Sequence, residues 1–368
     1  RDGRRLTQPM PNAAALDGSG SPVATASEAK VRTALDEYDE KGGFKRVAAA
    51  WRSFVKVGDP EFPPEAGRYH LYISLACPWA NGCFCLLKMK GLEHVIGISI
   101  VHPTWQKSRP GKDEHAGWAF RNPTDPPVTS QTGMGSFPCD GCIPDDINGA
   151  QFIRDLYEMA EDKDGKYTVP VLWDKKKKTI VSNESTEILR MLNSEFNEFA
   201  KNKELDLYPE DLLPKINEIH SWVYPNINNG VYRCGFAKSQ EAYEEGNDLL
   251  FAHLNKAEEI LSQQRYLCGE RLTGIDLRLF MTLIRFDPVY VVYFKCSRKR
   301  ISEYPNLFNF MKEIYQIPAV SSVISLQHIK MHYFTSHPHL NHFAIIPKGS
   351  DIDVDLGSPH DRDRLPKA

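Results

Sequence analysis

A cysteine and a proline set between a β-forming run and a helical run constrain this chain more than any other feature. Residues 68–74 read Arg-Tyr-His-Leu-Tyr-Ile-Ser, a β-rich segment ending at a polar residue. Cys77-Pro78-Trp79-Ala80 follows, then an apolar periodic stretch through Leu86, Leu87 and Met89 to Lys90-Gly91. Proline suits a first helical position and glycine the position past a last turn, so a helix is predicted between them. Residues 95–101 form a second strand run. Strand, helix, strand in that order is a crossover unit whose two strands lie parallel. Cys77 is thereby placed at a helix N-terminus, where unpaired N–H groups and the positive dipole end stabilise a thiolate and lower its pKa. Position 80 is Ala80, so the site has a single thiol, and a mixed disulfide formed there needs an external thiol to resolve it. Cys83 and Cys85, inside the helix, read as buried structural cysteines.

The next stretch, residues 103–150, is rich in Gly, Pro, Asp and Thr and has little periodicity, as in functional or disordered loops. A short helix is predicted over 152–160 and a strand over 167–174 with Pro170 inside it. Residues 179–182 pair back on that strand across the turn at Lys175-Lys176-Lys177-Lys178. A helix over 184–192 is entered through Ser182 and Asn183. The order β-α-β, connector, α, β-β-α is that of a thioredoxin-like domain. Beyond Pro209 strand signals almost vanish. Helical patterns occupy 211–224, 240–264, 274–285 and 306–315, with Pro214, Pro225, Pro288, Pro305 and Pro318 near their ends. Thr273 and Asp276 are spaced as a capping box ahead of an apolar run. The predicted class is α/β plus all-α: a flexible segment 1–45, a thioredoxin-like domain 46–200 with a long inserted loop near 103–150, an all-helical domain 206–345 and a tail 346–368. A length of 368 residues, 41% hydrophobic and 25% charged, accommodates two folded domains.

Charge and hydropathy then narrow the function. The net charge of −3 offers no broad basic surface, and the basic runs at 175–178 and 298–300 lack interleaved aromatics, so nucleic acid is not an expected partner. No apolar run approaches the roughly 18–20 residues that span a bilayer. The chain opens on Arg1, and residues 1–27 read as a disordered lead-in or the end of a transit segment. Eight cysteines in so long a chain are not a disulfide scaffold; they suit a reducing compartment, the cytosol by default with a plastid or other organelle open. Cys139 and Cys142 form a single CxxC with no zinc-ribbon partner and are expected in a surface loop. His328, His332, His337, His339 and His342 straddle a helix end and a loop and are expected at the surface or on a cavity wall, so no metal is expected.

Two further motifs accompany Cys77. A proline within a strand removes a ladder donor and needs a reason. In a thioredoxin-like frame the Val169-Pro170 bond is cis, faces the cysteine, and leaves the Val169 backbone free to pair with a peptide-like ligand. Asn183-Glu184-Ser185 opens a helix whose N–H groups suit a carboxylate, while the Glu184 side chain accepts from an ammonium. The γ-glutamyl end of glutathione presents both charges together. Tyr224, Tyr232 and Tyr333, by spacing alone, are core or rim residues.

These motifs together resemble the glutathionyl-hydroquinone reductases, the Xi class of glutathione transferases, from about Ala34 to the C-terminus. The resemblance is carried by Gly67-Arg68-Tyr69-His70-Leu71-Tyr72, Cys77-Pro78-Trp79-Ala80, Gly117-Trp118-Ala119-Phe120, Thr168-Val169-Pro170-Val171-Leu172-Trp173-Asp174, Asn183-Glu184-Ser185, Asn228-Asn229-Gly230-Val231-Tyr232 and His328-Ile329-Lys330-Met331-His332-Tyr333. It implies glutathione as co-substrate in the cleft between the domains, with Cys77 catalytic and Val169, Pro170, Glu184 and Ser185 around the tripeptide. It also implies the Trp118 indole over the tripeptide, Tyr224 and Tyr333 lining the electrophile pocket (Tyr224 exchangeable with Tyr232), and a homodimer. The expected reaction frees a hydroquinone from its glutathionyl conjugate through a Cys77–glutathione mixed disulfide and releases oxidised glutathione. An omega-like thioltransferase or dehydroascorbate reductase and a non-enzymatic glutathione or ligand carrier are the alternatives. One departure stands out: residues 133–150, with their two cysteines, look longer than the family pattern and bear on the cleft rim or the dimer contact.

Overall fold

The structure, a computed structural model, describes residues 31–33, 36–349 and 355–366. The expectations for residues 1–27 lie outside these. Strand β1 (Tyr69–Ile73) is buried along its whole length, as a central strand covered on both faces must be. Helix α1 (Pro78–Lys90) starts with Cys77 as N-cap and Pro78 as first residue, and Gly91 ends it in the left-handed conformation at φ +66°. Strand β2 (Gly97–Ile100) then lies parallel to β1, with Leu71 opposite Ile98.

The long connection includes a small ribbon of β3 (Gln106–Lys107) and β4 (Ala116–Gly117) before helix α2 (Ile153–Met159). Strands β5 (Val171–Asp174) and β6 (Thr179–Ser182) complete a sheet in the order β2-β1-β5-β6, with β5 antiparallel to both neighbours. Val169-Pro170 is cis, and the strand begins only after Pro170, so the proline stands at the strand's mouth and not within its ladder. Helix α3 (Ser185–Arg190) closes the domain. Its N-cap is Glu184 and not Ser182 or Asn183: Glu184 Oε1 accepts the Thr186 N–H at 3.0 Å, while Ser182 Oγ accepts that of Glu184 itself.

The second half is helical. Helices α4 (Leu213–Val223), α5 (Gly230–Gly235), α6 (Gln240–Gln263), α7 (Gly274–Arg285), α8 (Val291–Tyr293), α9 (Pro305–Tyr315), α10 (Pro318–Ser321) and α11 (Leu326–Ser336) follow in order. All twelve residues of α7 are buried, and its capping box is formed by the Thr273 N–H and hydroxyl on Asp276 Oδ2 at 2.8 and 2.6 Å. Two of the three π-helical turns among the described residues, Tyr224–Asn228 and Phe286–Tyr290, carry Pro225 and Pro288. Proline cannot donate into the ladder and crowds the preceding turn, so the helix widens there before it resumes.

Three expectations change. Residues 36–45, placed above in a flexible segment, include the buried Glu37 and Phe44, and Phe44 packs on Tyr232 and Phe236. Part of the C-terminal tail is likewise docked: Arg362 is fully buried and donates to the carbonyls of Leu261, Gln264 and Arg265. Cys139 and Cys142 are free but buried, because the 133–150 loop folds inward, bridging Val128 to Phe137 and Ile100 to Ile143.

Candidate active site

Cys77 sits where the sequence puts it, between the end of β1 and the first turn of α1. Its Sγ donates to the Val169 carbonyl across 3.6 Å, so the cis Val169-Pro170 bond faces the thiol. Its pKa runs opposite to the expected direction. Burial pushes the thiol up, against the backbone N–H groups of Ala80 and Trp79 and the positive charges of Arg285 and Arg46, which favour the thiolate. The sulfur is desolvated although Cys77 as a residue is only half-buried, so burial outweighs the helix terminus beneath a partial roof.

The roof is made by residues 46–50. With Trp79, Asp164, Lys166, Thr168, Val169, Pro170, Asn183, Glu184, Ser185 and Tyr224 they enclose a cavity of about 60 Å³. A network fixes its floor: Asn183 Nδ2 donates to the Tyr157 hydroxyl at 2.9 Å, which donates to the Thr168 carbonyl at 2.9 Å. The motifs around 169 and 184 are thus held at one height. The roof is tied down at Trp51, whose N–H reaches Asn183 Oδ1 and whose indole N–H reaches Asp162. A buried ion pair between Glu37 and Lys166 and a half-buried one between Arg32 and Asp164 add to it. Lys166 is a cavity-lining cation that no sequence motif singled out; its position, just ahead of the Thr-Val-Pro segment, was the available signal.

On the other side of Trp79 lies a tyrosine cluster. The Tyr333 hydroxyl, from α11, meets that of Tyr232, from α5, at 2.6 Å and that of Tyr290, from a π turn, at 2.9 Å. Burial raises all three phenol pKa values. Tyr232 and Cys77 are close enough for a thiolate to oppose ionisation of the phenol. Tyr224 stands apart from this cluster. It packs against Trp79 and His220 and lines the Glu184–Ser185 end of the cavity. The structure therefore groups Tyr333 with Tyr232 and with Tyr290, which sequence reasoning missed because Tyr290 sits in an apolar run with no motif around it.

Trp118 is buried, stacked on His332 with ring centres 4.5 Å apart and edge-on to Trp105. It backs the tyrosine helix and does not line the cavity beside Cys77. His328, His332 and His337 are buried as well, so the surface reading fails for them; His339 and His342 are exposed, as that reading expects. Their ring nitrogens bond the protein: His332 Nδ1 lies 2.8 Å from the Pro103 carbonyl and His328 Nε2 lies 2.6 Å from that of Asp140. Among the described residues no group of three or more His, Cys, Asp or Glu side chains is arranged to hold a metal ion.

Residues 76–195 match the family model for the glutathione S-transferase N-terminal domain, and residues 240–313 that for the C-terminal domain. The chain is 44% identical over 337 residues to the glutathionyl-hydroquinone reductase YqjG of Escherichia coli, covering 89% of this chain and 95% of that protein. The crystal structure of the glutathione-S-transferase Xi from Phanerochaete chrysosporium superimposes with a TM-score of 0.76 at 44% identity, over 84% of this chain and 98% of the other. The glutathione-bound structure of YqjG does so with a TM-score of 0.75 at 42% identity, over 86% and 97%.

Proposed function

The chain belongs to the glutathione transferases, on the Xi-class branch that includes the glutathionyl-hydroquinone reductases, and from that premise we propose how its residues carry out the reaction. It is a glutathione-dependent enzyme that reduces S-glutathionyl-hydroquinones to hydroquinones. The observation that carries the mechanism is the placement of one thiol between a peptide-pairing edge and a phenol cluster, with Val169 on one side and Tyr232, Tyr290 and Tyr333 on the other.

In this reading glutathione lies along Val169 and Pro170. Its amino-acid end meets Glu184 and Ser185, with Tyr224 as a wall, and its other carboxylate is directed towards Lys166. A tripeptide needs more room than about 60 Å³, since small-molecule sites usually enclose several hundred. A neighbouring cleft of about 650 Å³ shares Arg46, Val47, Ala48, Glu184 and Tyr224 with this cavity, so the room for the tripeptide continues past residues 46–48. The Cys77 thiolate attacks the sulfur of the bound conjugate; a sulfur–sulfur bond forms and the sulfur–carbon bond breaks, its electron pair passing into the ring as the keto oxygen becomes a phenolate, which then takes up a proton. That carbon is a poor leaving group unless it carries a proton, so protonation to the keto tautomer comes first. Tyr232 and Tyr333, bonded to each other on the far side of Trp79, are assigned as the proton sources. A second glutathione thiolate then attacks the mixed disulfide, releasing oxidised glutathione and restoring Cys77.

The experiment is chromatography of a glutathionyl-hydroquinone incubated with glutathione and either wild type or Cys77→Ser. Hydroquinone and oxidised glutathione in equal amounts, formed only with wild type, are expected. Substantial turnover by Cys77→Ser would sink the mechanism. Stoichiometric release without turnover would leave a glutathione carrier, and intact disulfide exchange alone a thioltransferase. We further propose that the chain works as a homodimer, which sedimentation tests, and in a reducing compartment, the cytosol or an organelle, as its eight unpaired cysteines favour.

A further inference from the structure

Arg285, the last residue of α7, is 0% exposed. A guanidinium at that depth ordinarily takes a carboxylate with it, because an unbalanced buried charge costs several kcal/mol. Arg285 has none within ion-pair distance among the described residues. Its donors go to neutral acceptors instead: the carbonyls of Leu75, Ala76 and Met281 at 3.0, 3.0 and 2.8 Å, and Asn81 Oδ1 at 3.0 Å. Asn81 is itself fixed by donating to the Val323 carbonyl at 2.9 Å. Three of those four acceptors flank Cys77 in the chain, two residues before it, one before it and four after it. A helix of the second domain thus reaches into the first and grips the turn that carries the thiol.

We propose that Arg285 is a positioning residue for Cys77: it holds the 75–81 turn and supplies the cation whose missing counter-ion is the Cys77 thiolate. With Cys77 protonated, the guanidinium is a lone charge in the interior. With Cys77 ionised, the two charges balance, which is what a thiol pushed upward by burial requires. The groups facing the sulfur are Arg46 from the roof, Arg285 from α7, Tyr232 from α5 and Cys83 from α1. Of these only the two arginines carry positive charge; Arg46 is half-buried at the cavity edge, whereas Arg285 is fully buried and held by four acceptors. Arg285 is the cation fixed by the fold. Its charge also favours the ionised forms of Tyr290 and Tyr333.

The proposal rests on Cys77 being the nucleophile, and its test reads the thiol without the full reaction. Carboxamidomethylation of Cys77 by iodoacetamide is followed by peptide mass spectrometry across pH, in the full chain, for wild type, Arg285→Lys and Arg285→Gln. Circular dichroism shows which variants fold. Arg285→Gln, which keeps a donor but no charge, is expected to raise the midpoint of the rate–pH curve by about one pH unit or more. Arg285→Lys is expected to stay close to wild type. Should Arg285→Gln not fold, Arg285→Met removes the charge at similar length and decides the matter. A folded Gln or Met variant with the wild-type midpoint overturns the role of Arg285 and leaves the nucleophile assignment standing. A wild-type Cys77 that does not react at any pH overturns both.

Discussion

Tyr333 shows what one hydroxyl does when two others depend on it. It is 2% exposed and bonded to both Tyr232 and Tyr290, so Tyr333→Phe removes a proton source and leaves two buried phenols short of a partner. We expect turnover to fall about 100-fold, the size usual for losing a general acid, at a cost of about 1 kcal/mol in stability. Glutathione affinity, measured by calorimetry, should hold; a loss confined to affinity would move Tyr333 from proton transfer to binding. His332 beneath it makes a separate prediction. Burial depresses its pKa to about 4, against the pull of the Pro103 carbonyl. The unfolded chain takes up a proton below about pH 6.5 and the folded one does not until near pH 4, so this stability is complete above 6.5 and is lost as pH falls through that window. Melting temperature should drop between pH 7 and 4.5, and His332→Gln should reduce that dependence by one histidine's share, since His70, His102, His115 and His220 are depressed to about 4 in the same way. An unchanged slope in the variant would place the acid sensitivity elsewhere.

At the scale of elements, the loop over 103–150 is the clamp on α11. Pro103 accepts from His332, the hydroxyls of Thr104 and Thr335 meet at 2.8 Å, the Trp105 N–H donates to Ser336 Oγ, and Phe137 packs against Met331. Between the two cysteines, Gly141 turns at φ +74° directly under His328, where a Cβ would stand 3.1 Å from Nε2. Only glycine meets both demands without strain. Gly141→Ala is therefore expected to cost about 1–2 kcal/mol, read as a lowered denaturant midpoint. No change would mean that the turn relaxes without disturbing α11. The loop's composition announced irregular backbone, yet its length gave no hint of a buried role, because hydrogen bonds to a distant helix leave no periodicity in the sequence.

At the scale of the whole molecule, the N-terminal segment is pinned beside the site by a residue far along the chain. Glu37, outside the domain boundary drawn from the sequence, is buried against Lys166, and burial pulls the lysine pKa down while Glu37 pulls it up. Glu37→Gln leaves a buried ammonium with a neutral partner, which costs about 3 kcal/mol when such pairs are broken. The expected consequence is local: hydrogen exchange over 36–51 accelerates and Cys77 alkylates faster, while the melting of the helical domain is little changed. Exchange at the wild-type rate would show that the segment is held by Phe44 and Trp51 alone.

Local chemistry was enough to place Cys77, the cis Val169-Pro170 bond, the capping box at Thr273 and the alternation of strands and helices, since each depends on a few neighbouring residues and leaves a short pattern. Tertiary structure alone decided the rest. Arg285 and Cys77 are 208 positions apart, Glu37 and Lys166 are 129 apart, and three tyrosines from separate helical segments share hydrogen bonds. The reason is physical: a polar group becomes consequential when burial strips its water away, and which polar groups are buried together is a property of the packed chain.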